Sequence, residues 1–144
     1  LDIHSDELVL DIGSGLGYSS AIISLIAEFV IAVEDDNSLA SESEEILSEI
    51  GVDNVVVQIG KLENGAPEHG PYDAIIFQGG VGEIPGAILN QLKNGGRIGA
   101  IFIEEGLGTA KIGFKLNNKI TWRYSFNAAA PILPGFSKQK DFVL

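Results

Sequence analysis

The richest concentration of chemistry-bearing residues lies near the start of the chain, in Asp11-Ile12-Gly13-Ser14-Gly15-Leu16-Gly17. Three glycines at alternate positions follow the apolar run Leu8-Val9-Leu10 and precede the apolar stretch Ala21 to Ala27. Glycines so placed let a turn between a strand and a helix approach a ligand closely. A turn of this kind receives a nucleotide-like group, and an acid about 20 residues on, at the end of the second strand, holds ribose hydroxyls. Glu34 stands at that place with Asp35 beside it, closing the β-branched run Phe29 to Val33.

Charge narrows the ligand. A dinucleotide brings an anionic pyrophosphate to such a turn, whereas S-adenosylmethionine brings a sulfonium and an ammonium group. Asp11 opposes the first and complements the second, and the spacing Gly13-Gly15-Gly17 departs from the GxGxxG pattern of dinucleotide folds. The residues therefore point to S-adenosylmethionine. An NAD-dependent oxidoreductase would require Asp11 to be tolerated beside a pyrophosphate. The bland alternative is that Asp11 caps the turn and Glu34 is surface charge.

Other chemistry is poorly provided for. The chain has no cysteine, which removes disulfides, thiolate metal sites and cysteine nucleophiles. His4 and His69 fall in loop or terminal stretches. Ser14 has Ile12 two positions before it, where a nucleophile elbow needs glycine. Trp122, Tyr124 and Phe126 alternate along one expected strand and read as sheet packing on a single face.

The elements that would position these residues follow from the apolar pattern. Leu8–Ile12, Phe29–Val33, Val55–Ile59, Tyr72–Phe77 and Arg97–Ile103 read as buried strands. Between them the pattern predicts a mostly buried helix begun by Ser19 and Ser20 as caps, a helix over Leu39–Ile50 closed by Gly51, and a short helix over Ile84–Leu92 ending at Lys93-Asn94-Gly95-Gly96. Gly60 to Pro71 reads as a loop, and Gly79-Gly80 opens another. Alternation over Thr109–Leu116 and Lys119–Phe126, around Asn117-Asn118, predicts a β-hairpin. The expected fold is α/β: a Rossmann-like, doubly wound, mostly parallel sheet covered on both faces, with a C-terminal antiparallel β-hairpin.

The 144 residues, 45% of them hydrophobic, suit one globular domain over 1–144. The formal net charge of −11 disfavours nucleic acid as a partner. No apolar run approaches the roughly 20 residues of a membrane span. A soluble, cytoplasmic protein is expected. The chain begins at Leu1 and contains no methionine, so the expectation is that an N-terminal part is missing.

Val9-Leu10-Asp11-Ile12-Gly13-Ser14-Gly15-Leu16-Gly17-Tyr18, Pro71-Tyr72-Asp73-Ala74-Ile75-Ile76, Glu83-Ile84-Pro85 and Leu89-Asn90-Gln91-Leu92-Lys93-Asn94-Gly95-Gly96-Arg97 together resemble, in order, the motifs of the protein-L-isoaspartate O-methyltransferases. That resemblance implies methyl transfer from S-adenosylmethionine to the free carboxyl of isoaspartyl residues in proteins or peptides. It implies that Asp11, Gly13, Ser14, Gly15 and Gly17 cradle the methionine end, Glu34 and Asp35 the ribose, and Gly60, Lys61 and Leu62 the adenine edge. Gln78 would border the cofactor, and Gly79, Gly80 and Val81 the acceptor. Gly60-Lys61-Leu62 stands where the family usually has Gly-Asp-Gly, and the family's N-terminal acceptor-holding segment is not matched. The divergence keeps a small-molecule acceptor, or a cofactor-binding module without turnover, as alternatives.

Overall fold

The structure is a computed structural model and describes residues 1–138. Its order is β1 (Leu8–Ile12), α1 (Tyr18–Ser24), β2 (Phe29–Glu34), α2 (Asn37–Glu49), β3 (Val55–Ile59), two short 3-10 turns, β4 (Tyr72–Val81), α3 (Gly86–Leu89), β5 (Leu92–Glu104), β6 (Leu107–Leu116) and β7 (Lys119–Asn127). The seven strands form one sheet in the order β3-β2-β1-β4-β5-β6-β7. β1 to β5 pair in parallel, and β6 and β7 join antiparallel. The expected mostly parallel sheet and terminal hairpin are both present.

The apolar run of β1 is central, in register with β2 on one side and β4 on the other. Alternate residues of each strand feed opposite faces. One face builds the main core from Leu10, Ile12, Val33, Ile75, Phe77 and Ile98; the other gives a smaller cluster of Val9, Val30 and Ala74 with Ile23 of α1 and Ala27 beyond its end.

Several expectations are corrected. The helix after the glycine turn is not mostly buried: α1 stops at Ser24 with only Ser20 and Ile23 turned inward, and Ile22 within it and Leu25 and Ile26 after it lie 64%, 84% and 49% exposed. The sheet is not fully covered, since the α1 side of β4–β6 carries an open apolar groove of about 320 Å³ bordered by Leu1, Ile3, Ile76, Gly99 and Ile101. α3 shrinks to one turn, and Lys93–Gly96 lie within β5, where a shift of register against β4 between Leu92 and Arg97 absorbs them. β4 runs on through Gly79 and Gly80 to Val81 instead of opening a loop there. In β7, Tyr124 pairs with Lys111 but Phe126 with Ala110, so Ser125 is a bulge. The bulge sends Phe126 to the face opposite Trp122, which stacks edge-on against Phe102 at 4.9 Å.

Candidate cofactor and acceptor site

Two neighbouring parallel strands whose connections leave in opposite directions open a crevice beyond their carboxyl ends. Here β1 and β4 are that pair, and the glycine turn after β1 forms the crevice floor. Gly13, Gly15 and Gly17 all take positive φ (79°, 58° and 91°), a region that strains any residue with a β-carbon. The turn folds back over β2: Gly13 N and Ser14 N donate to Val33 O at 2.9 and 3.3 Å, and Gly15 N donates to the Glu34 carboxylate at 2.9 Å. The other Glu34 oxygen accepts from Asp36 N at 2.9 Å. Glu34 is thus buried as a brace between the turn and the start of α2, whose first turn is capped by Asp36. Asp35 beside it is exposed.

Asp11 has no exposure. Its Oδ2 accepts from the hydroxyls of Ser19 and Ser20 at 2.7 and 2.6 Å, and its Oδ1 from Gln78 Nε2 at 2.8 Å. Burial raises its carboxyl above the ordinary range, and the three donors oppose that rise. Ser19 and Ser20 therefore hold Asp11 and do not cap α1, which starts from Gly17 with no side-chain cap. The carboxylate ties together β1, α1 and the end of β4, and Gln78, itself exposed, is the member of this trio that reaches the crevice surface.

Ser14 differs from all of these. Its Oγ is buried and, among the described residues, is the one such side-chain polar atom with no hydrogen-bond partner. Beside it, a β-carbon on Gly15 would meet nothing within 4 Å, whereas one on Gly17 would lie 3.1 Å from Ser43 of α2. Gly15 thus faces open space, and the unmet hydroxyl belongs to its neighbour Ser14. Buried polar groups in native folds nearly always find a partner, which sets Ser14 Oγ apart.

The remaining expected residues divide. Gly60 follows β3 and donates its N–H to Glu34 O at 3.1 Å, which brings the 60–62 segment to the same edge of the sheet. Lys61 is exposed, while Leu62 is buried core and turns in toward the glycine turn. Gly79, Gly80 and Val81 are all buried. Val81 is core within β4, and Gly79 and Gly80 are covered by a segment with no local sequence signal, Pro131–Phe136. Gly80 N donates to Pro131 O at 2.7 Å and Leu133 N to Gly80 O at 2.8 Å. Ser19 and Ser20, which hold Asp11, and Leu133, which packs on Gly13 and Gly79, are neighbours of the expected residues that the spacing of motifs did not reveal.

A sheet of order 3-2-1-4-5 with a glycine turn at its crossing point and an acid behind it defines a Rossmann-like α/β protein. The family model for protein-L-isoaspartate(D-aspartate) O-methyltransferase matches residues 1–119. The chain belongs to that family. A protein-L-isoaspartate O-methyltransferase of Brucella anthropi is 45% identical over 92 residues, covering 64% of this chain and 42% of the relative. One of Syntrophus aciditrophicus is 40% identical over 98 residues, 68% of this chain and 45% of the relative. The chain thus spans less than half the length of these relatives. Among solved structures, a protein-L-isoaspartate O-methyltransferase superposes with a TM-score of 0.88 at 26% identity, over 93% of this chain and 44% of that one. A Plasmodium falciparum structure assigned to the same enzyme type, in complex with S-adenosyl-L-homocysteine, gives 0.74 at 20% identity over 90% and 66%.

Proposed function

We propose that this chain binds S-adenosylmethionine in the β1–β4 crevice and forms the cofactor-holding part of an enzyme that methylates the free carboxyl of isoaspartyl residues in proteins or peptides. The observation that carries the cofactor reading is the partnerless Ser14 Oγ in the glycine turn, next to Gly15, which faces open space. The direction of the loop's donors supports it. A turn that cradles pyrophosphate aims its N–H groups at the ligand, whereas Gly13, Ser14 and Gly15 spend theirs on Val33 and Glu34. With the carboxyls of Asp11 and Glu34 behind that turn, an anion is poorly served and a cationic sulfonium and ammonium are well served.

Ser14 and Gly15 would hold the methionine end, Gln78 would flank it, and Glu34 would meet the ribose with the lone pairs its two backbone bonds leave free. Gly60 and Lys61 would border the adenine. When bound, the cofactor supplies an electrophilic methyl group. The chain's own part is positioning and water exclusion: an acceptor carboxylate is already nucleophilic at neutral pH, so alignment and desolvation suffice and no general base is required. The isoaspartyl acceptor rests on family membership, since Gly79 and Gly80, expected to border it, are covered by Leu133 and Pro131.

Calorimetric titration with S-adenosyl-L-homocysteine, with NADH as comparison, tests the cofactor reading. Binding of the first alone is expected, and binding of NADH alone would refute it. Methyl transfer to an isoaspartyl peptide and not to its aspartyl twin tests the acceptor.

A further inference from the structure

Asparagine followed by glycine is the pair at which a main-chain nitrogen most readily attacks the preceding side-chain amide, because glycine carries no β-carbon to stand in the way. The chain holds two such pairs, Asn64-Gly65 and Asn94-Gly95. The fold treats them in opposite ways.

Asn64 ends the 3-10 turn Leu62–Asn64, where the backbone is tied at three points. Its N–H donates to Lys61 O at 3.1 Å, its carbonyl accepts from Gln91 Nε2 at 2.9 Å, and the Gly65 N–H donates to Leu62 O at 3.1 Å. Gly65 is buried, and a β-carbon on it would lie 2.6 Å from Gln91 Oε1. The nitrogen that would attack is thus held in the turn, and Gln91 closes the space beside it.

Asn94-Gly95 lies in the register shift at the start of β5. Pairing with β4 passes from Tyr72–Leu92 to Ala74–Arg97, and pairing with β6 begins at Arg97, so among the described residues neither neighbour sets a partner against 93–96. Asn94 and Gly95 are both exposed, Gly95 takes a φ of 87°, and a β-carbon on it would meet nothing within 4 Å. The Asn94 side chain leans on the turn between β6 and β7. Its Oδ1 accepts from Asn118 N at 2.9 Å, while its Nδ2 reaches Asn118 Oδ1 only at 3.3 Å. The shorter contact draws electron density from Cγ and supports charge on its oxygen, and the longer one leaves the amide nitrogen lightly held.

We propose that Asn94 is a modification site of this chain, at which loss of the side-chain amide yields an isoaspartyl or aspartyl residue while Asn64 is protected. The Gly95 nitrogen bonds to Asn94 Cγ, and the side-chain nitrogen leaves as ammonia with the proton that the Gly95 nitrogen gives up. Water then opens the resulting succinimide. Opening at Cγ restores the ordinary backbone as aspartate, and opening at the main-chain carbonyl leaves the chain running through the side chain as isoaspartate. Both products lack the Nδ2 donor, and isoaspartate adds a methylene to the backbone, so the hold on Asn118 is released. This chemistry needs no cofactor and stands whether or not S-adenosyl-L-homocysteine binds.

Ageing the folded chain at mildly alkaline pH, then mapping its peptides by mass spectrometry with fragmentation that separates isoaspartate from aspartate, tests the site. Asn94 is expected to convert about tenfold or more faster than Asn64, whose conversion waits on an opening that breaks its turn. In urea, where the fold is gone, the two should convert at comparable rates. Equal rates in the folded chain would overturn the proposal, as would an Asn94 that keeps its amide. So would an Asn64 that stays slow in urea, because its protection would then be local and not the work of Gln91. Hydrogen exchange at the Asn118 amide should quicken in the aged folded chain, and exchange unchanged after Asn94 has converted would overturn the release of the turn.

Discussion

Replacing Asp11 by asparagine should change the stability of the unliganded chain in a way that depends on pH with a definite sign. The Asp11 carboxyl has no exposure, and its three contacts, from Ser19, Ser20 and Gln78, are all neutral donors. Burial raises its proton affinity above the ordinary value of 3.8 against the pull of those donors. Below 3.8 the group is protonated in both folded and unfolded chains, and its contribution to stability is complete. As pH rises through the window between 3.8 and the raised folded value, the unfolded chain ionises first. Stability is then lost at up to about 1.4 kcal/mol per pH unit until the folded carboxyl also ionises. Asparagine has no such slope. Its Oδ1 can accept from Gln78, and its Nδ2 can face the two serine hydroxyls, which rotate to accept. The variant should therefore gain on the parent as pH rises from about 4 and then level off. Alanine offers nothing to the wholly buried Ser20 hydroxyl and leaves a void, so Asp11→Ala should lose about 2–4 kcal/mol. Urea unfolding followed by circular dichroism, in steps from pH 4 to 8, measures both. A difference between asparagine variant and parent that is flat, or that shrinks as pH rises, refutes the assignment of Asp11 as a buried charge without a counter-ion.

Glu7 presents the opposite sign. Arg97 holds it through two contacts at 2.6 and 2.9 Å and, with this hydrogen-bonded ion pair as the main cause, its carboxyl falls from 4.5 to about 2. The parent's advantage over Glu7→Gln, on the order of 1–2 kcal/mol after solvent screening, should be full above pH 4.5 and vanish toward pH 2 in the same unfolding assay. Glu34→Ala removes the acceptor for Gly15 N and Asp36 N and should weaken S-adenosyl-L-homocysteine binding by about tenfold or more in calorimetry; an unchanged affinity would show that Glu34 has no part in the site. Phe136→Ala empties the pocket against Phe77 and should cost about 3–5 kcal/mol in thermal or urea unfolding. Gly79→Ala drives a methyl into Leu133 and toward Pro131 O, so the Pro131–Phe136 segment should loosen, seen as faster hydrogen exchange at the Leu133 amide.

Much of the strand, turn and helix order around the glycine turn was legible in the chain itself, because its signals are local. Leu8–Ile12, Gly13–Gly17 and Phe29–Glu34 are contiguous runs whose apolar period and glycine spacing specify strand, turn and strand, and topology then requires them to lie side by side. The hairpin was legible for the same reason, since alternation and the Asn117-Asn118 turn act between neighbours. What failed depended on partners distant in sequence. Ser19 and Ser20 look like helix caps until Asp11, eight and nine residues away, takes their hydroxyls. α1 looks buried by composition, yet its burial depends on what covers the sheet beside it. Gly79-Gly80 looks like the start of a loop, but backbone bonds from Pro131 and Leu133, more than fifty residues on, keep it extended. Chain composition determines which segments can be strands, helices and close-approach turns. Only tertiary structure decides which polar group meets which, and here it decided that Asp11 is braced from behind, that Ser14 is left with an unmet hydroxyl and that Leu133 packs over Gly13 and Gly79.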